Sequence, residues 1–352
     1  MLERIKHNAV IAIGILTNTI HLAMPVLELF GAGTCGKYLL REFSRTHTTY
    51  WDAVPGDKVL ADPETKKLVE QHYRKLYSNI AIPLLQFTGP ELEQQTRFRG
   101  RPNAGYIFSE WALITKKQKA NLKAFDVLAA GSEWNAQVIR NAGFPCYAVP
   151  QGVDCEIFKP QERKTHLNHF LIYSGGQYAH RKAQDLVIRS VKVLQDRHPD
   201  ILLVASWFNI WKNEDGYEAA RKAGVRIAGL PLLDHESLAL HMNQTDVGLF
   251  PNRCEGWTNL MLMDYLACGR PVVANTSTGQ ADVLHDSYSI GIRGTDDELV
   301  EQMIVGVEKL YANRGLLGEM GTKAANAMQA WPWSRTAEGL WYAIGETGIQ
   351  RN

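Results

Sequence analysis

Two short stretches hold residue types that could do chemistry. The first is Ser174-Gly175-Gly176-Gln177-Tyr178-Ala179-His180-Arg181-Lys182, which leaves an apolar run and enters an amphipathic one. Glycines let backbone N–H groups approach a ligand, and the start of a helix favours an anion. Arg181 and Lys182 add full positive charge there. The combination suits a diphosphate; a tight turn with solvated cations is the plainer reading, and without G-K-[ST] it is no Walker loop. The second stretch is EGWTNLMLMDYLACGRPVVA, from Glu255 to Ala274. A loop presents Glu255, and Thr258 stands where a helix cap belongs. Asp264 follows inside that helix, and Gly269 suits its carboxyl-terminal cap. Leu260 and Asp264, four apart, share a helix face, while Met261, Leu262 and Leu266 can face a core. A carboxylate there could accept both hydroxyls of a ribose. Free N–H groups around Gly256, Trp257, Thr258 and Asn259 could hold phosphate oxygens. The competing reading is an ordinary helix with one buried acid, which would need a partner.

A third stretch, Gly31-Ala32-Gly33-Thr34-Cys35-Gly36-Lys37, fits G-x-G-x-x-G ahead of a helix expected over 36–44. A dinucleotide site needs an acid about 20 residues on, and Asp52 stands there in a poorly defined segment. A plain glycine turn is the alternative. Glu110 follows the strand expected at 105–108, either turned to a ligand or simply a surface acid. Lys116, Lys117, Lys119 and Lys123 could touch an anionic membrane or acceptor, but they also read as a solvated helix face. His21 and His180 stand singly, so neither is given a metal.

These residues need elements to hold them. Strands are expected at 9–16, 81–87, 105–108, 127–130, 146–149, 170–174, 201–206, 226–229, 247–250 and 271–274. Helices are expected at 36–44, 64–77, 115–124, 133–141, 183–197, 235–243, 259–268 and 297–311. Such alternation predicts parallel sheets covered on both faces. The chain's 352 residues favour two domains. The proline-bearing polar run 150–168 is the expected linker. The fold class is therefore α/β, with two Rossmann-like domains facing across a cleft, and ligands at the carboxyl ends of the strands. Residues 9–30 resemble a signal segment or anchor, but the uninterrupted apolar run AVIAIGIL is too short to span a bilayer. A buried first strand is expected instead. Lys plus Arg is 38 against 37 Asp plus Glu, a balance that argues against a nucleic-acid partner. Five dispersed cysteines argue against a disulfide framework and for a reducing compartment.

On these residues the chain resembles the GT-B glycosyltransferases, in particular the retaining family 4, glycosyl transferases group 1. The likeness runs over about 125–345 and is strongest over 170–285. PQGVDCEIFKP resembles the family's P-x-G-V-D-x-x-x-F-x-P, and SGGQYAHRKAQD its Gly-rich R-K-G segment. LPLLDHESLALHMNQTDVGLFPNRCEG resembles the approach to its first acid, and EGWTNLMLMDYLACGRPVVA its two-acid signature. Departures are Asp264 in place of the usual Glu, eight residues between the acids, Gln177 at a position often basic, and Ala183 where glycine is common. The resemblance implies an acceptor domain at 1–155, a donor domain at 156–330, and a terminal helix at 331–352 packing back on the first. It implies catalytic roles for Glu255, Arg181 and Lys182. Donor binding would fall to Gly175, Gly176, Gln177, Leu232, Gly256, Trp257, Thr258, Asn259, Leu260 and Asp264. Gly33 and Glu110 would lie on the acceptor side.

The activity this implies is sugar transfer from a nucleotide-diphosphate sugar, a co-substrate rather than a cofactor, to a glycan, lipid-linked or small-molecule acceptor. Retention at the anomeric carbon is expected. No D-x-D occurs in the sequence, so no metal is assigned. A cytoplasmic location, with peripheral membrane contact as a variant, is expected. Two readings compete: an NAD(P)-dependent oxidoreductase built on Gly31–Gly36, and a non-catalytic nucleotide- or glycan-binding protein.

Overall fold

The computed structural model describes residues 18–26, 31–52, 63–163, 169–209 and 215–349. The strand expected at 9–16 lies outside the described residues. The chain divides into two units, Met1–Gly152 with Trp333–Asn352, and Val153–Pro332.

The first unit is built on a six-stranded parallel sheet of order β2-β1-β3-β4-β5-β6. Its strands and helices are β1 (Thr19–Ala23), α1 (Gly31–Thr46), β2 (Thr48–Asp52), α2 (Pro63–His72), β3 (Leu84–Phe87), β4 (Asn103–Ile107), α3 (Lys116–Leu122), β5 (Val127–Ala130), α4 (Glu133–Asn141) and β6 (Tyr147–Ala148). Helices α3 and α4 start where the sequence says they should. Thr115 closes a capping box with Gln118, and the Ser132 hydroxyl accepts the Asn135 amide N–H. β1 and β2 were not foreseen: their His21 and Thr48-Thr49 break the apolar pattern, yet His21 and Thr49 are buried. Helix α2 stops at His72, five residues short of the expected end.

The second unit also holds six parallel strands. Its elements are β7 (Phe170–Gln177), a 3-10 turn at His180–Lys182, α5 (Gln184–Arg197), β8 (Ile201–Phe208), α6 (Gly216–Lys222), β9 (Ile227–Gly229), α7 (His235–Asn243), β10 (Val247–Phe250), α8 (Leu260–Ala267), β11 (Val272–Asn275), β12 (Ser289–Ile292), α9 (Asp296–Ala312) and α10 (Arg314–Met328). Helix α11 (Trp333–Ile349) belongs to the first unit, where the Trp333 ring stacks on Tyr38 at 5.0 Å. The strand order β12-β11-β10-β7-β8-β9 is the doubly wound Rossmann order read from one edge. Strands β7 and β10 are neighbours, with Val247 opposite Ile172 and Gly248 opposite Tyr173. The order reverses between them, so the loops after β7 and β10 flank the switch point where such sheets bind ligands. Those loops carry the two stretches singled out first. The core beneath is apolar on both faces: Ile172, Val247, Leu249 and Val273 pack with α5 and α9, and Tyr173, Phe250, Val272 and Ala274 with α8. Continuous apolar strands follow from that two-sided burial.

Candidate active site

After Ser174, strand β7 continues through both glycines to Gln177, longer than the expected 170–174. A side chain at Gly175 would run into the Tyr173 hydroxyl, and would lie 2.8 Å from Ser206 Oγ and 2.9 Å from Met261 Cγ. Gly176 has φ +112°, a backbone state side chains disfavour. The chain then makes the 3-10 turn that carries Arg181 and Lys182. Ala183 closes it with φ +58° and leads into α5. That left-handed residue explains why glycine would suit position 183. Gln184 braces the turn: its Nε2 donates to Gln177 O at 2.8 Å, and its Oε1 accepts the Ala179 N–H at 3.3 Å.

The loop after β10 meets this turn. Lys182 Nζ donates to Glu255 Oε2 in an ion pair. Arg181 Nη1 lies 3.8 Å from the same oxygen. Asn252 Nδ2 donates to it at 2.8 Å, and the Cys254 N–H donates to Arg181 O at 3.3 Å. Glu255 is 4% exposed. A buried carboxylate persists when its charge is matched and hydrogen-bonded, as here. Its backbone is fixed too. The Glu255 N–H donates to Thr278 Oγ1 at 3.0 Å, and its carbonyl accepts the Gly279 N–H at 2.8 Å. Gln280 Nε2 donates to Phe250 O at 2.9 Å and to Asn275 O at 2.7 Å.

Helix α8 starts at Leu260, not under a Thr258 cap. The residue before it is Asn259, at φ +65°, with no side-chain cap bond. Asn259 instead donates to Gln280 Oε1 at 3.1 Å, and the fully buried Thr258 Oγ1 has no hydrogen-bond partner among the described residues. The cap expectation failed because the loop is held by the segment after β11 rather than by its own hydroxyl. With no side-chain cap, the helix start keeps its pull on an anion. Leu260, Met261 and Asp264 lie on the partly exposed side of α8, while Leu262, Met263, Tyr265 and Leu266 are buried. Burial, and then the nearby Asp154, push the Asp264 pKa well above the usual carboxylate range.

At the end of β7, Gly175 and Gln177 are partly exposed and Gly176 is buried; in the loop after β10, Trp257 is partly exposed and Gly256 is buried. Leu232 is exposed in the loop between β9 and α7. Gly33 and Glu110 lie in the first unit: Glu110 is exposed after β4. Gly33 corrects an expectation. The glycines at 31–36 are not a loop before a helix at 36; they form the first two turns of α1. Gly36 is required for contact, since a side chain there would collide with Pro25 O. Asp52 ends β2 and accepts the Leu76 N–H at 2.9 Å. Among the described residues no group of three or more His, Cys, Asp or Glu is arranged to hold a metal, and no helix is long and apolar enough to cross a membrane. Sequence reasoning missed Asn252, Arg253, Thr278 and Gln280. The polar run NTSTGQ at a strand's carboxyl end was the available signal for the last two.

The two doubly wound units and this site define a GT-B glycosyltransferase fold. Residues 168–313 match the family model of glycosyl transferases group 1. A glycosyltransferase from Rickettsia africae superposes with a TM-score of 0.70 at 12% identity, over 94% of this chain and 98% of that one. Anabaena HepE, solved with UDP and glucose, gives 0.66 at 14%, over 95% and 100%. D-inositol 3-phosphate glycosyltransferase of Arthrobacter sp. (strain FB24) is 25% identical over 202 residues, 53% of this chain and 47% of that protein. The GDP-mannose-dependent monoacylated alpha-(1-6)-phosphatidylinositol monomannoside mannosyltransferase of Corynebacterium glutamicum is 22% identical over 259 residues, 65% of each. The chain spans about half the length of the first of these curated relatives.

Proposed function

We propose that this chain is a glycosyltransferase that moves a sugar from a nucleotide-diphosphate sugar to an acceptor hydroxyl, with retention and without a metal. The observation that carries the reading is the convergence of Arg181 and Lys182 on Glu255, in the loop that leads into α8. Breaking the sugar–phosphate bond leaves negative charge on the diphosphate. Two cations and a helix start, already in place, suit that charge at little reorganisation cost. Lys182 is held by Glu255 until a diphosphate competes for it. The ribose hydroxyls would donate to Asp264, whose ionised form is otherwise disfavoured. Glu255 would hold the sugar or its phosphate. Front-face attack by the acceptor hydroxyl needs no protein nucleophile. The named substrates of the relatives, and UDP in the neighbours, set the donor panel.

The test is transfer or slow hydrolysis of UDP-glucose, UDP-N-acetylglucosamine and GDP-mannose, with EDTA and with Mg²⁺. Nucleoside diphosphate release in EDTA, with the product's anomeric configuration matching the donor's by proton coupling, is the expected result. Turnover that needs Mg²⁺, or an inverted product, would refute those parts of the reading.

A further inference from the structure

One partly buried cation near the site is committed elsewhere. Arg253, two residues before Glu255, has a side chain 16% exposed. All five of its donors are used, the full number a guanidinium has. Nε donates to Asp296 Oδ1 at 3.0 Å and Nη2 to Asp296 Oδ2 at 2.8 Å. Nη1 and Nη2 donate to the Asp185 carboxylate at 2.9 and 2.6 Å. Nη1 also donates to His180 O at 2.7 Å. Asp185 lies in the first turn of α5, and Asp296 opens α9. His180 opens the 3-10 turn that carries Arg181 and Lys182. Arg253 therefore ties the acid-bearing loop to the cation-bearing turn and anchors both to two helix starts.

We propose that Arg253 is a positioning residue: its five-bond bridge sets Lys182 against Glu255. This rests on the reading of that pair as the donor site. The bridge has no spare donor for a ligand, so its influence runs through Lys182 and Glu255. A lysine keeps the charge but has three donors on one nitrogen and cannot span three partners. A second ion pair supplies the control. Arg189 and Asp297, 2.6 Å apart and exposed, link the same two helices without touching either loop.

The experiment compares Arg253→Lys, Arg189→Ala, Lys182→Ala and the Lys182→Ala/Arg253→Lys double variant. Affinity for UDP and GDP is read by calorimetry, and backbone exchange by deuterium uptake. Arg253→Lys should weaken the bound nucleotide by about tenfold or more, as misplacement of a binding group does. In the Lys182→Ala background the same change should cost less than about twofold, because coupled residues are not additive. Uptake should rise over 179–183 and 252–256 in Arg253→Lys and stay unchanged in Arg189→Ala. Equal losses in both backgrounds, an equal loss from Arg189→Ala, or unchanged uptake would overturn the proposal. If neither nucleotide binds the unaltered chain, the donor-site reading fails, and the positioning role built on it is overturned as well; uptake then tests only the physical bridge.

Discussion

Two glycine-rich stretches lead into helices in this chain, and they are built differently. At Gly175–Lys182 the backbone leaves a strand, passes φ +112° at Gly176 and +58° at Ala183, and turns two cations onto a buried acid. At Gly31–Lys37 the glycines are helix. Gly36 permits contact with the Pro25 carbonyl, and the Lys37 ammonium rests 5.7 Å from the Tyr38 ring centre. Glycine spacing is common to both. What separates them is the partner: the first stretch sits beside β10 and its acid at the strand-order reversal, and the second is spent on packing α1.

The comparison breaks most readily at Lys182. Lys182→Ala should lower donor turnover about 100-fold, the typical loss of one preorganised charge-stabilising donor. Steady-state kinetics on a variant with an intact circular dichroism spectrum reads it; turnover within twofold of normal would remove the cations from the mechanism.

The two glycine types sharpen the contrast. Gly36→Ala should cost about 1–3 kcal/mol by overpacking, with nucleotide affinity per folded molecule unchanged. Gly176→Ala meets no atom within 4 Å, so its cost is backbone strain, about 1–3 kcal/mol, and affinity should fall with it. Urea midpoints and calorimetry separate the cases; equal loss of affinity in both would erase the distinction.

Asp264 gives a pH test. Its folded pKa lies above its unfolded value, so the ligand-free protein gains stability at acid pH from its neutral form. That gain disappears as pH rises through the folded pKa. Asp264→Asn should therefore leave the melting temperature unchanged at low pH and raise it increasingly above the usual carboxylate range, while weakening nucleotide binding. A pH-independent difference would show that burial of the carboxylate is not what the substitution relieves.

The smallest effect is expected at His21 in the first unit. Burial lowers its pKa from 6.5 to about 4. Stability from the neutral ring is present above pH 6.5 and is lost as pH falls towards 4. His21→Phe should flatten the acid limb of the melting curve over that window and leave donor kinetics alone. An unchanged limb would place the acid sensitivity elsewhere.

Much of the second unit was legible because its strands are buried on both faces and its helices carry local signals. Strand β10 and helix α7 fall on the residues expected. The first unit was less so: β1 and β2 place His21 and Thr49 inside, which no periodicity announces. Strand β12 and helices α6 and α10 were also missed; α6 is short and α10 rich in Gly and Ala, so neither shows a strong apolar stripe. At the site, Arg181, Lys182, Glu255 and Asp264 were legible from residue type and order. Arg253 was not, because its five acceptors lie 43 to 73 residues from it in sequence. Thr258 misled because a hydroxyl at a helix start has the same appearance whether or not the loop lets it cap.

The most direct test is calorimetric titration of the chain and its Lys182→Ala variant with UDP, GDP and ADP in EDTA. The account predicts that one nucleoside diphosphate binds the unaltered chain and that its affinity drops at least about tenfold without Lys182. Binding of none of the three, or equal binding by both proteins, would contradict a donor site built where Arg181 and Lys182 meet Glu255.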